Sequence, residues 1–140
     1  MLLLLVVVVA LSVVGASTVR RGWPTTSGTV ALPGLDGQVS VVRDAHGIPQ
    51  VYADTPADLF RAQGFVTAQD RFFEMDLRRH VASGRLAELV GKAGVDTDKV
   101  VRTLGWRKVA EASLPKLAPT TRQYLAAYAE GVNDCLLYTS

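Results

Sequence analysis

Between Thr55 and Ser83 the chain carries one continuous helical pattern, and a helix of that length dictates what the shorter elements around it can do. Its start is signposted. Thr55 suits the N-cap, Pro56 suits the first helical position, and Asp58 puts negative charge in the first turn in a capping-box-like arrangement. From there Leu59, Ala62, Phe65 and Val66, Gln69, Phe72 and Phe73, Asp76 and Leu77, and His80 and Val81 recur at helical spacing, which predicts one apolar stripe. The other face carries Arg61, Thr67, Asp70, Arg71, Glu74 and Arg78, with Glu74 and Arg78 in the favourable (i, i+4) order. Ser83-Gly84 stops the pattern, and residues 85–90 form a short second helix closed by Gly91.

Upstream, residues 29–32, 39–43 and 50–53 are strand candidates. Asp44-Ala45-His46-Gly47 separates the last two and has Asp first and Gly last, a strong turn signal, so those two pair as a hairpin. Downstream, Asp96-Thr97-Asp98 caps a helix that carries Val100, Val101, Leu104, Trp106, Val109 and Ala110 and ends near Pro115. Pro119 opens the last helix, with Tyr124 and Leu125, Tyr128 and Val132 on one stripe. The expected fold class is therefore α+β, a short hairpin followed by several helices. No repeat is visible, and each helix has an apolar face with only the others and the hairpin to bury it.

The 140 residues are 49% hydrophobic, which allows one domain at most, and part of that figure comes from the nearly unbroken apolar run over residues 2–16. As a signal peptide the run ends at the small-residue site Val14-Gly15-Ala16; as an uncleaved anchor it continues through residues 2–19 to Arg20-Arg21 at the interface. No basic residue precedes the run, which a translation start upstream of Met1 would explain. A buried core helix is excluded because Val6-Val7-Val8-Val9 leaves no polar face. The expectation is export: periplasmic, extracellular or membrane-anchored. The net charge of +2, with Lys and Arg scattered among Asp and Glu, gives no nucleic-acid footprint. Cys135 is the single cysteine, so no intrachain disulfide can form.

Each residue that could carry chemistry has a plainer role. His46 beside Asp44 has no nucleophile to serve and reads as a polar turn residue. His80, among Asp76, Arg78 and Arg79, complements a helix C-terminus and lacks companions at zinc-ligand spacing. Asp70, Glu74 and Asp76 are surrounded by Arg71, Arg78 and Arg79, which describes a structural ion-pair network, and Arg43-Asp44 belongs to the same kind. Asp96 and Asp98 lack the remainder of a calcium loop, so capping suffices. There is no GxSxG or SxxK motif, and Ser17, if exposed by signal cleavage, would sit on a linker with no oxyanion hole. The catalytic, substrate-binding and metal residues expected from this segment are none.

Three word-like stretches carry a further reading: Val42-Arg43-Asp44-Ala45-His46-Gly47-Ile48-Pro49, then Asp58-Leu59-Phe60-Arg61-Ala62-Gln63-Gly64-Phe65, then Ala68-Gln69-Asp70-Arg71-Phe72-Phe73-Glu74-Met75-Asp76 with Ser83-Gly84-Arg85-Leu86-Ala87-Glu88 behind it. In that order they resemble the N-terminal part of the penicillin acylase (penicillin amidase) family of N-terminal-nucleophile hydrolases, over about residues 28–133. The resemblance implies a four-layer αββα sandwich, of which this segment is the N-terminal edge, incomplete as given. It implies an exported precursor that cuts itself into an α and a β chain. The new N-terminal Ser of the β chain is then the nucleophile, its own α-amino group the base, and β-chain amides and an Asn hold the oxyanion. The substrates implied are small acyl amides: penicillin-type β-lactam side chains or N-acyl-homoserine lactones. Partners are the rest of the α chain and the β chain. No cofactor belongs to this segment, while calcium can occur in the full-length enzyme. Arg43, Asp44, Gly47, Pro49, Gln69, Asp70, Arg71, Gly84 and Glu88 match as scaffold positions, and the pocket lies beyond Ser140.

The domain reading that follows is a signal peptide or anchor over 1–21, a linker over 22–28, the N-terminal portion of the α chain over 29–134, and a tail foreign to the family over 135–140. The segment alone is expected to be inactive and, with its helix faces uncovered, aggregation-prone. A rival from another class is a membrane-anchored helical interaction module without chemistry, whose apolar stripe would bind a partner.

Overall fold

The structure, a computed structural model, describes residues 2–21 and 26–138 and divides into two compact units, residues 1–31 and 32–138. The expected linker over 22–28 lies largely outside the described residues.

Among its described residues the first unit has one helix, α1 (Leu2–Arg21), of 20 residues, and residues 26–31 without regular structure. It runs unbroken through Val14-Gly15-Ala16. Its hydroxyls are satisfied internally: Ser12 donates to the Val8 carbonyl at 2.8 Å, and Ser17 and Thr18 both donate to the Val14 carbonyl at 2.9 Å. Among the described residues no helix is long and apolar enough to cross a membrane, the described side chains of α1 running only from Val6 to Thr18 and then Arg20.

The second unit opens with the hairpin. β1 (Ser40–Arg43) pairs antiparallel with β2 (Pro49–Tyr52), in the register Ser40 to Tyr52 and Arg43 to Pro49. The pairing expected from the sequence is correct to within a residue at either end. The strand expected over residues 29–32 is not formed, and among the described residues the sheet has two strands. A β-favouring run becomes a strand only when another chain segment takes up its backbone hydrogen bonds, and among the described residues none does so.

α2 (Pro56–Ala82) is the long helix, of 27 residues. Thr55 caps it, accepting from the Asp58 amide at 3.1 Å, with Pro56 in the first turn. Asp58 is buried and does more than favour the dipole: its two carboxylate oxygens accept from the Asp36 and Gly37 amides at 3.0 and 3.2 Å, fastening the preceding loop to the helix start. The helix is not continuous in geometry. Arg71 leaves the helical region (φ −151°, ψ 36°), one residue past Gln69 and Asp70, which a strand residue grips. The stripe is interrupted there: it is buried as far as Ala68, Phe72 is half-exposed and Phe73 is 75% exposed, against expectation, and it resumes at Asp76 and Leu77, half-buried, and at His80, buried.

The helix expected from Asp96 to Pro115 is two. α3 (Ala87–Val90) leads through a 3-10 turn at Gly91–Gly94 into α4 (Val95–Leu104), and Gly105 in the left-handed region (φ 68°) separates α4 from α5 (Trp106–Ser113). Glycine tolerates that conformation without a Cβ clash, so the chain turns there. α6 (Pro119–Tyr138) then returns along α2.

The core lies between α2 and α6. Ala62, Phe65, Val66 and Ala68 are buried from α2, Ala127 and Cys135 from α6, and Phe60 stacks on Tyr124 with centroids 4.8 Å apart. The residues that meet are small because the backbones nearly touch. A Cβ on Gly64 would run into the Tyr128 carbonyl, and one on Gly131 into the Arg61 carbonyl. The α6 stripe expected from its large residues holds in part: Tyr124, Tyr128 and Val132 are half-buried, Leu125 is 50% exposed, and the buried positions are the neighbouring small residues Ala127, Gly131 and Cys135. α6 continues without a break to Tyr138, whose ring lies 6.2 Å from that of Phe65.

Candidate functional site

The residues singled out by pattern converge on two knots of charge, and the first is at the tip of the hairpin. Asp44 folds its carboxylate over the turn, one oxygen accepting from the amides of His46 and Ile48 at 2.8 and 2.9 Å. This is an Asx-type turn, and it commits the Asp44 carboxylate to the backbone of the turn. His46 is exposed and contributes only its backbone amide.

Arg43, at the end of β1, reaches the middle of α2. Its Nη1 donates to Asp70 Oδ2 at 3.0 Å and its Nη2 to Asp70 Oδ1 at 2.8 Å, a two-pronged pairing that suits the planar guanidinium. The same side chain donates to Gln69 Oε1 at 3.3 Å and to the Gly47 carbonyl at 3.0 Å. One residue thus locks strand, turn and helix together, and Arg43, Gly47, Gln69 and Asp70 are brought to one place. Pro49 faces Arg43 across the ladder.

The second knot is at the end of α2. His80 is buried, with Nδ1 2.8 Å from the Asp76 carbonyl oxygen and Nε2 3.7 Å from Glu88 Oε2. Arg85 donates to both oxygens of Glu88 at 2.9 and 2.8 Å, and this bonding holds the Glu88 carboxyl below its ordinary value. Asp98 is not the cap of its own helix. It is buried, and its oxygens accept from the Leu86 and Ala87 amides at 2.7 and 2.9 Å, capping the start of α3 instead. Asp96 is exposed and pairs with Lys99. Arg102 donates to the Gly84 carbonyl at 2.7 Å, tying the stop of α2 to α4.

The three clustered carboxylates are each compensated: Asp70 by Arg43, Glu74 by Arg78 at 2.7 Å, and Asp76 by Arg79 at 2.6 Å. Among the described residues no group of three or more His, Cys, Asp or Glu could hold a metal ion. Burial pushes the Cys135 thiol up from its ordinary 9.0, and the Asp70 charge adds to that, the reverse of what activates a nucleophile. A shallow cleft of about 270 Å³ lies where α2 ends against α4 and α5, beside Ser83, Val101, Arg102 and Trp106. Ser83 Oγ is committed to the carbonyls of Arg79 and His80, so no described hydroxyl there stands beside a base.

Pattern reading missed two anchors, Arg61 and Asp58. Arg61 donates to Asp134 Oδ2 at 2.8 Å and to the Gly34 carbonyl at 3.0 Å, and lies 3.2 Å from Glu130 Oε2. The Asp134 bond, with the nearby acids, raises the Arg61 guanidinium above its already high value. The partners stand 73 residues apart, so no local signal encodes them.

A family model described as Penicillin amidase matches residues 38–140. The chain belongs to the penicillin amidase family. Among curated relatives, this penicillin amidase segment is 44% identical over 113 residues to the penicillin acylase 2 proenzyme of a Pseudomonas species, 81% of this chain and 15% of that protein. It is 36% identical over 107 residues to penicillin G acylase of Escherichia coli, covering 74% and 13%. Against the acyl-homoserine lactone acylase QuiP of Pseudomonas aeruginosa the identity is 38% over 113 residues, covering 81% and 13%. The chain therefore spans at most 15% of the length of these relatives. Among solved structures, the thermostable penicillin G acylase of Alcaligenes faecalis superposes with a TM-score of 0.65 at 32% identity, over 72% of this chain and 54% of that one. The hairpin and helices of this penicillin amidase segment thus match part of an N-terminal-nucleophile hydrolase fold.

Proposed function

We propose that the chain is the N-terminal part of the α chain of an exported acyl-amide hydrolase precursor, with the domain boundaries read from the sequence. The precursor splits into α and β chains, and the β chain's N-terminal Ser attacks the acyl carbon while its α-amino group takes the proton. Substrates are small acyl amides, either β-lactam side chains or N-acyl-homoserine lactones. Residues 2–19 direct export or tether the protein, and the full-length enzyme can take calcium through residues downstream of this segment. The segment itself positions elements and carries no catalytic group.

The observation that supports this reading most is the Arg43–Asp70 clamp. Four of the residues matched as family scaffold meet in space, Arg43 bonding Gly47, Gln69 and Asp70 at once. A chance likeness of words would not pair them. The test is to read the source gene past Asn133 and express the complete frame. The expected result is two chains, a Ser at the new N-terminus, and release of free amine from phenylacetyl- or acyl-homoserine-lactone amides. Substituting that Ser by Ala is expected to abolish both cleavage and hydrolysis. A frame that stops within a few codons of Asn133, or an uncleaved product without amide hydrolysis, would overturn the proposal.

A further inference from the structure

We draw no further inference here: the strongest candidate, the exposed apolar patch that Val100, Leu104, Trp106 and Val109 form on α4 and α5, carries nothing because nothing in the structure shows what covers it.

Discussion

Replacing Gly131 by Ala puts a single methyl at the point where α6 crosses α2. In an exposed helix that change stabilises by about 1 kcal/mol, because Ala gives up less backbone entropy than Gly. Here the added Cβ falls on the Arg61 carbonyl and comes within 2.9 Å of the Phe65 amide nitrogen, both backbone atoms that cannot rotate away. The helices must part by on the order of 1 Å to restore van der Waals spacing, and a gap of that size forfeits a quarter to a half of each facing contact. The side chains that lose contact are Ala62, Phe65, Ala127 and Cys135. Overpacking of this kind costs up to about 3 kcal/mol, and subtracting the helical gain leaves a net loss near 2 kcal/mol. For a unit of this size that lowers the melting temperature by roughly 10 °C. Thermal and urea unfolding followed by far-ultraviolet circular dichroism reads it. Gly64→Ala is expected to behave similarly, and the double variant to cost less than the two losses added, since helices already parted admit the second methyl cheaply. A Gly131→Ala protein with an unchanged or raised midpoint would refute the close crossing.

Other expectations are more local. Arg43→Ala, and to a lesser degree Arg43→Lys, should free the hairpin, raising amide exchange at Val42 and Gln50, which form a hydrogen-bonded pair of the ladder, and costing about 1–2 kcal/mol for a partly buried two-pronged pair; exchange unchanged from the parent would show that the clamp holds nothing. Asp98→Ala leaves the Leu86 and Ala87 amides without their acceptor and should cost about 1–2 kcal/mol with fast exchange at those two amides, Asn restoring part of it. The Arg85 bond depresses the Glu88 carboxyl in the folded chain, so its contribution to stability is complete above the ordinary value of 4.5 and is lost as the pH falls through the lower folded value. An NMR titration of Glu88 should therefore show a midpoint below 4.5 that returns upward in Arg85→Ala, and a midpoint indifferent to Arg85 would contradict the assignment.

Elements whose signals are local were legible in the order of residues. The Asp44-to-Gly47 turn closes within five residues and fixes the hairpin. The Thr55 cap is set within four residues, so the start of α2 could be read as written. The charge compensation of Glu74 by Arg78 follows from one helical turn. The family likewise shows in the residue order, because the scaffold words stand in the right sequence.

What only the folded chain decided is where distant segments meet. Asp98 caps a helix other than its own, because a carboxylate bonds whichever amides the fold brings to it, and here those lie 11 and 12 residues back. The helix from Pro56 looked uniform in its periodicity, yet it departs from helical geometry beside residues that Arg43 grips across 26 and 27 positions. Residues 29–32 had strand-like composition but no strand partner among the described residues, so they formed no strand. The apolar stripe of α6 was half-buried as its large residues Tyr124, Tyr128 and Val132 foretold, but the close approach at Gly64 and Gly131 put the small residues Ala127, Gly131 and Cys135 deepest. Short-range hydrogen bonds and helical periodicity belong to the chain's own order and can be read from it; burial and pairing depend on which surfaces come together, and a linear order of residues does not specify that.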